Sequence, residues 1–505
     1  MLEALNSKTV GLYRDRSVTG YDPAPPFGPA EPYPEYPFAW EESARGSGQV
    51  YAMLRGLFQS LGLDREHFGQ KSWNPLGEVI RPGDRVLVKP NWVCHARPDG
   101  PGVEVLLTHP SVLRAVLDYV EIALNGEGCV VLGDSPMQTA DFDALRRQCG
   151  IDELLEWWRA RSRVKLELVD FRRSRIVAER GDLIRERHDL PGDPRGYRAV
   201  NLGLRSYLTP LDEYWRRYRV TDYNPRLMRE HHNATRHEYL VPDSLLGSDV
   251  LISLPKLKTH RKGGLTCALK NLVGINGNKD WLPHHRAGSP AEGGDEYPRR
   301  SFLKSLTSSL GDRLATTRPG WSYDLLWQMR RLTAAAARTL GAGPVREGSW
   351  YGNDTLWRMV LDLVTILLYG DQEGLLEVAP VRSHFAVVDA VVAGEGEGPL
   401  RPAARTEGIL LAGANPLAVD AVAATLAGLD LRRIPMLGAG FRVARGGNSL
   451  PLVGFNWDEI ELRSNEPQWD SRRLGQPESF HGRLDFRAPE GWAGHLELAR
   501  DREGR

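Results

Sequence analysis

The chain has 505 residues, with 65 Lys and Arg against 65 Asp and Glu, and a formal net charge of zero. That balance gives no ground for general nucleic-acid or membrane-surface binding. A hydrophobic content of 41% with 26% charged residues is that of a globular protein, long enough for two or more domains or one large core with insertions.

Four scattered cysteines (Cys94, Cys129, Cys149 and Cys267) form no C-x-x-C pair. They argue against a cysteine-ligated iron–sulfur cluster, a structural zinc site and a disulfide framework. The first residues lack a basic stretch followed by an apolar one, and no apolar run approaches the ~18 residues of a membrane span. The cytoplasm is therefore the default compartment.

Residues 9–19 open with a strand pattern. Residues 21–40, rich in proline and aromatics, read as an extended arm packed over other elements, and a helix is expected over 47–62. From residue 85 the pattern alternates: strand 85–88, amphipathic helix 110–125 with Pro110 suited to its first turn, strand 128–132, helix 141–161, strand 164–169. This order implies an α/β fold, a mainly parallel sheet flanked by helices with right-handed crossovers.

Residues 172–240 are Arg-rich and irregular, an insertion between sheet elements. The nearly continuous apolar run 249–254 then rejoins the sheet as a strand buried on both faces. Residues 281–350 read as a second insertion, helical from 301 to 340. An amphipathic helix follows over 354–369, capped by Asn353 or Asp354. Strands are expected over 385–392 and 408–413 and a helix over 416–426, while the last forty residues read as a peripheral or partly disordered tail. The resulting divisions are an arm and helix (1–84), a first α/β portion (85–280), a mostly helical insertion (281–370), a second α/β portion completing the core (371–465) and the tail (466–505).

Only ten lysines accompany fifty-five arginines, yet five of the ten lie between residues 256 and 279. An amine, unlike a guanidinium, loses its proton at accessible pH when desolvated. Lys256 and Lys258 begin where the strand 249–254 ends and share a side if the chain stays extended. Thr259 and His260 follow, then Thr266, Lys270 and Asn271. In open α/β sheets the crevice beyond the carboxyl ends of the strands is where ligands bind. Such groups suit phosphate, carboxylate or enolate oxygens.

Other strand ends repeat the pattern. Strand 85–88 runs into Lys89 and Asn91, and strand 128–132 into Asp134 and Ser135. His109 opens a helix whose free N–H groups favour an anion. Asp389, inside an apolar strand, calls for a partner, which a lysine of the 256–270 window would supply; Asp420 is open to the same role. Glu395 lies in the Gly-rich stretch 394–399. Plainer roles stand beside these: an Asx turn at Asp134, a helix cap at His109, a helix stop at Asn271, and a buried arginine partner for Asp389. His231, His232, His237, His284 and His285 offer transition-metal ligands with Asp134 or Asp389, though without the H-E-x-x-H spacing.

Val88-Lys89-Pro90-Asn91, His109-Pro110, Gly133-Asp134-Ser135-Pro136, the run from Leu254 to His260, Thr266 and Lys270-Asn271-Leu272-Val273-Gly274 resemble the domain-of-unknown-function 362 family. Asp389-Ala390 and Gly396-Glu397-Gly398-Pro399 look like that family's later signature. The resemblance covers roughly residues 85–425, interrupted at 172–240 and 281–350. It implies no reaction, and the ferredoxin-like cysteine clusters of some relatives have no counterpart here.

The leading expectation is an enzyme acting on a small anionic metabolite by Lys/His acid–base chemistry. Its catalytic groups are expected among Lys256, Lys258, His260, Lys270 and Asp389. Substrate would be held by Lys89, Asn91, His109, Asp134, Ser135, Thr259, Thr266, Asn271 and Glu395. The rivals are a non-catalytic anion- or partner-binding protein and a metal-dependent redox enzyme. The cofactor is left open, a divalent metal included and an iron–sulfur cluster not expected. An oligomer is compatible with the pattern; a nucleic-acid partner is not expected.

Overall fold

The computed structural model describes residues 4–41, 46–100, 102–179, 183–221, 223–442, 449–476 and 482–498. Among them one 11-stranded sheet organises the chain. Its strands are β1 (Thr9–Arg14), β2 (Arg85–Pro90), β3 (Cys129–Asp134), β4 (Lys165–Asp170), β5 (Val250–Leu254), β6 (Lys256–His260), β7 (Gly264–Thr266), β8 (Ser383–Glu397), β9 (Arg401–Gly413), β10 (Glu461–Ser464) and β11 (Arg472–Arg473). Across the sheet they run β11-β10-β1-β9-β8-β5-β2-β3-β4, with β6 paired to β8 and β7. From β8 to β4 every neighbour is parallel, and β9 returns antiparallel beside β8.

Alternation along the strands divides the core. Val86 and Val88 enter a cluster with the helices α1 (Gln49–Leu61), α2 (Pro110–Leu124), α3 (Phe142–Gln148) and α4 (Ile151–Arg159). Leu87 and Leu251 point the other way, into a cluster built on the short turn α5 (Ala268–Asn271) and the later helices α8 (Leu356–Tyr369) and α9 (Pro416–Leu426). Each such Leu or Val, taken out of water, contributes about 1.5–3 kcal/mol.

Several sequence expectations change in detail. The helix read over 141–161 is two, because Gly150 takes a left-handed conformation (φ 65) between α3 and α4. Helix α8 is capped by Asn353, whose Oδ1 accepts from Thr355 N at 3.1 Å and Leu356 N at 3.0 Å. The Gly-rich stretch after residue 392 is strand, since β9 pairs with it as far as Glu397. The tail also contributes structure: β11 pairs antiparallel with β10, and Trp469 and Trp492 are buried. The helical insertion is a hairpin of α6 (Phe302–Thr316) and α7 (Trp321–Thr339).

Chain order fixes where a crevice opens. From β2 the chain steps to β3 and β4 on one side, then to β5 on the other. The carboxyl ends of β2 and β5 thus flank a topological switch point. Thr108 ties them, donating to Leu254 O at 2.5 Å and accepting from Asn91 N at 3.0 Å.

Candidate functional site

Two buried ion pairs stand at these strand ends. Lys89 Nζ, on β2, donates to Asp134 Oδ1 at 2.7 Å, to Asn271 Oδ1 at 2.9 Å and to Pro90 O at 2.8 Å. Burial lowers its pKa while Asp134 opposes the shift. Asp134 also accepts from Trp92 N at 2.7 Å and from Ser135 N at 2.8 Å. Gly274 passes so close that a Cβ there would lie 2.0 Å from Asp134 Oδ1 and 2.6 Å from Lys89 Nζ.

The second pair joins β6 to β8. Lys256 Nζ lies 3.0 Å from Asp389 Oδ2 and also donates to the Tyr21 hydroxyl, which itself donates to Asp389 Oδ1 at 2.6 Å. Asp389 Oδ2 further accepts from His109 N at 3.0 Å. The anion expected at the start of α2 is therefore this carboxylate. The His109 side chain caps its own helix, accepting from Ser111 N at 3.2 Å. Burial and then Lys256 push its pKa to about 3, so the ring stays neutral.

Between the pairs lie amines of another kind. Lys258 donates to Asn91 Oδ1 at 3.0 Å and to the Leu106 carbonyl, both uncharged. Burial, then Lys256 and Lys270, lower its pKa well below the ordinary lysine value. A neutral amine has two N–H bonds, which match these two acceptors and leave its lone pair free. Burial, then Lys262 and Lys89, bring Lys270 to about 7. Lys279 is also at about 7 through burial, against the opposing pull of Asp134; it donates to Val273 O at 3.1 Å. Among the described residues none of these three makes an ion pair.

Two neutral imidazoles complete the cluster. His260 Nδ1 accepts from the N–H groups of Lys262 and Gly263, both at 3.1 Å, so its proton sits on Nε2. His284 Nδ1 donates to Leu282 O at 2.7 Å, so its Nε2 carries the lone pair. Burial and the charge on Lys270 hold both well below the usual histidine value. One ring thus offers a donor and the other an acceptor within the field of Lys270. Lys262 and Lys279 had no assigned role in the sequence reading, and His284 figured only as a metal ligand. The clustering of the scarce lysines was the signal that could have found them.

Not every expected residue joins this group. Glu395 accepts from Arg405 at 3.2 Å and from Arg487 N at 2.9 Å, apart from the lysines. Thr259 spends its hydroxyl on Gly396 O at 2.8 Å, holding β6 to β8. Asn271 binds Lys89 and Ser253 through its amide. Asp420 pairs with no lysine; it accepts from Ala268 N at 2.6 Å and Leu269 N at 3.2 Å, holding the turn that carries Lys270.

The histidine metal set also fails to assemble. His231 binds Glu238, His237 binds Asp212, and His232 binds the Trp281 carbonyl. Among the described residues no three His, Cys, Asp or Glu groups are placed to share a metal ion.

Several buried polar atoms near the cluster have no hydrogen-bond partner among the described residues: Ser135 Oγ, Thr266 Oγ1 and Asn276 Nδ2. Thr266 lies directly across from Lys258 in the β6–β7 ladder, and Ser135 N donates to Gly274 O at 3.0 Å. Buried polar groups are ordinarily satisfied, so these atoms are open hydrogen-bonding positions beside the cluster. A cavity of about 280 Å³ adjoins the cluster, lined by Thr221, His285, Glu296, Lys304, Arg330 and Glu347 among others. Lys262 links the two: its amine donates to Thr221 Oγ1, on the cavity wall, at 2.9 Å, and its charge depresses the Lys270 amine.

The sequence profile of the family described as "Domain of unknown function (DUF362)" matches residues 86–187 and 216–425, more than half of the chain. The chain belongs to this family. Both ion pairs and the amine cluster fall inside the matched segments. A thylakoid-associated protein of Synechocystis sp. is 27% identical over 246 residues, covering 48% of this chain and 52% of that protein. The chain thus spans about half the length of that curated relative. A crystal structure of a Thermotoga maritima protein aligns with 69% of this chain and 54% of its own, at 11% identity and a TM-score of 0.28. Among the described residues no helix is long and apolar enough to cross a membrane.

Proposed function

We propose that the protein is an enzyme that moves a proton on a small metabolite bearing a phosphate or carboxylate group. One observation carries this reading: Lys270, with a pKa near 7, has no hydrogen-bond acceptor among the described residues and sits in the field of the Lys262 and Lys89 amines. A base near neutrality is half available and still strong enough to accept a proton. Lys262 and Lys279 hold the anionic group, His260 Nε2–H donates to an oxygen that gains charge, and His284 Nε2 accepts. The Lys89–Asp134 and Lys256–Asp389 pairs fix the strand ends from which these groups project. The adjoining cavity takes the rest of the substrate.

A binding protein without turnover would use the same cations but has no need of a group titrating near neutrality. The four cysteines are unpaired, in keeping with a reducing cytoplasm as the setting.

The test begins with mass spectrometry of anions released on denaturing the purified protein. Turnover of the compound found is then compared with that of Lys270→Ala. The proposal expects turnover to fall by about 100-fold or more while the fold, read by circular dichroism, persists. A neutral apolar ligand, or undiminished turnover in Lys270→Ala, overturns it.

A further inference from the structure

The zero net charge of the chain conceals a local excess. Between residues 299 and 340 there are eight Lys and Arg and two acidic residues. Both acids are engaged by arginines from outside the segment: Asp312 with Arg219 at 2.8 Å and Asp324 with Arg185 at 2.7 Å. Arg313, Arg318 and Arg331 are exposed and pair with no carboxylate among the described residues, while Arg338 lines the cavity beside the lysine cluster.

The same segment exposes apolar side chains in register. On α7, Tyr323, Trp327 and Ala337 are buried against the protein. Trp321 (82% exposed), Leu325 (51%), Met329 (44%) and Leu332 (70%) recur at steps of four, four and three on the opposite side, which is one stripe of a helix. Phe302, 80% exposed, opens the companion helix α6, and Leu340, just past the end of α7, is 75% exposed. A single exposed leucine needs no explanation, but a stripe along a whole helix marks an interaction surface.

We infer that the outer face of the α6–α7 hairpin seats the protein on a membrane surface rich in anionic phospholipids. Charge selects this occupant. A Trp/Leu/Met stripe fringed by unpaired arginines, with no net acid to repel phosphate, is the composition of helices that lie in the lipid interface. Trp321 to Leu332 spans about 16 Å along the axis, so the helix lies along the surface and does not cross it. The inner side of the same hairpin lines the cavity assigned to the substrate; the seating uses only its outer face.

The test is co-sedimentation of the full chain with phosphatidylcholine vesicles, with and without phosphatidylglycerol. The expected result is pelleting with the anionic vesicles that declines as salt is raised. Trp321→Ser combined with Leu332→Ser alters only exposed side chains and lowers that binding by about tenfold or more. Arg313→Glu with Arg318→Glu lowers it by about tenfold or more through charge. Circular dichroism and the thermal midpoint of each variant establish that the fold is retained. The inference is overturned by absence of binding to either vesicle, by equal binding to both, or by variants that bind like the parent. It is equally overturned by a dimer in solution that the Trp321→Ser/Leu332→Ser variant turns into a monomer, which would make a second copy the occupant.

Discussion

Lys256 and Asp389 meet at 3.0 Å on neighbouring parallel strands, and neither side chain has any contact with solvent. A buried pair contributes little net stability, but half of one is destabilising, because the remaining charge has lost its counter-charge in a dry environment. Asp389 is further tied to the Tyr21 hydroxyl and to the N–H of His109. The carboxylate therefore fastens the N-terminal arm, the start of α2 and the lysine strand to one point.

Asp389→Ala is expected to lower stability by about 3–5 kcal/mol in urea denaturation. The double change Lys256→Met with Asp389→Leu should lose much less, since it removes both charges. Equal losses for the single and double variants would mean that packing, and not charge, holds this junction.

Lys270 and Lys279 give the protein a pH signature. Both titrate near 7 in the folded chain, below the ordinary lysine value of about 10.4. Between those values the unfolded chain holds protons that the folded chain has released, so stability rises with pH across the window and the penalty is fully present below it. Denaturation midpoints measured from about pH 7 to 10 should climb, and Lys270→Met should flatten part of the slope. Binding of inorganic phosphate at mildly alkaline pH should draw a proton back onto the site. That uptake is read as a buffer-dependent heat in titration calorimetry and is diminished in Lys270→Met.

Gly274→Ala forces a methyl group into the Lys89–Asp134 pair, at 2.0 Å from one oxygen. The backbone or the pair has to shift, costing about 1–3 kcal/mol and displacing Ser135 and Lys279. A lowered thermal midpoint with weaker anion binding is the expected result; a variant indistinguishable from the parent would show that the approach is looser than the geometry describes.

Asp420→Ala leaves the N–H groups of Ala268 and Leu269 without their acceptor. The loss expected is about 1–3 kcal/mol, with turnover reduced because α5 no longer holds Lys270 in place. Asp420→Asn keeps an oxygen acceptor and should recover most of both.

The alternating segments from residue 85 declared the parallel sheet, because buried strands and amphipathic helices leave different periods in the sequence. Lysine scarcity pointed to the amine cluster for a similar reason: a fold that otherwise uses arginine has placed amines where a removable proton matters. The partners were less legible. Nothing around Asp389 in the chain names Tyr21, some 370 positions away, as its hydrogen-bond donor. His260 and His284 acquire opposite tautomers from backbone groups two or three residues away, set by turn geometry that residue types alone do not declare. Asp420 looked like a lysine partner, yet its real task, holding the N–H groups of Ala268 and Leu269, depends on α9 packing against α5. The tail misled because its strand is short and its buried tryptophans are isolated among charges.

Strand β1 is held between β9 and β10, partners encoded some 390 residues or more further along. As the chain leaves the ribosome, this early segment emerges long before anything exists for it to join. At ordinary elongation rates the wait is on the order of half a minute. Throughout that interval its amide and carbonyl groups remain an open template, a point at which a nascent-chain chaperone would have reason to bind.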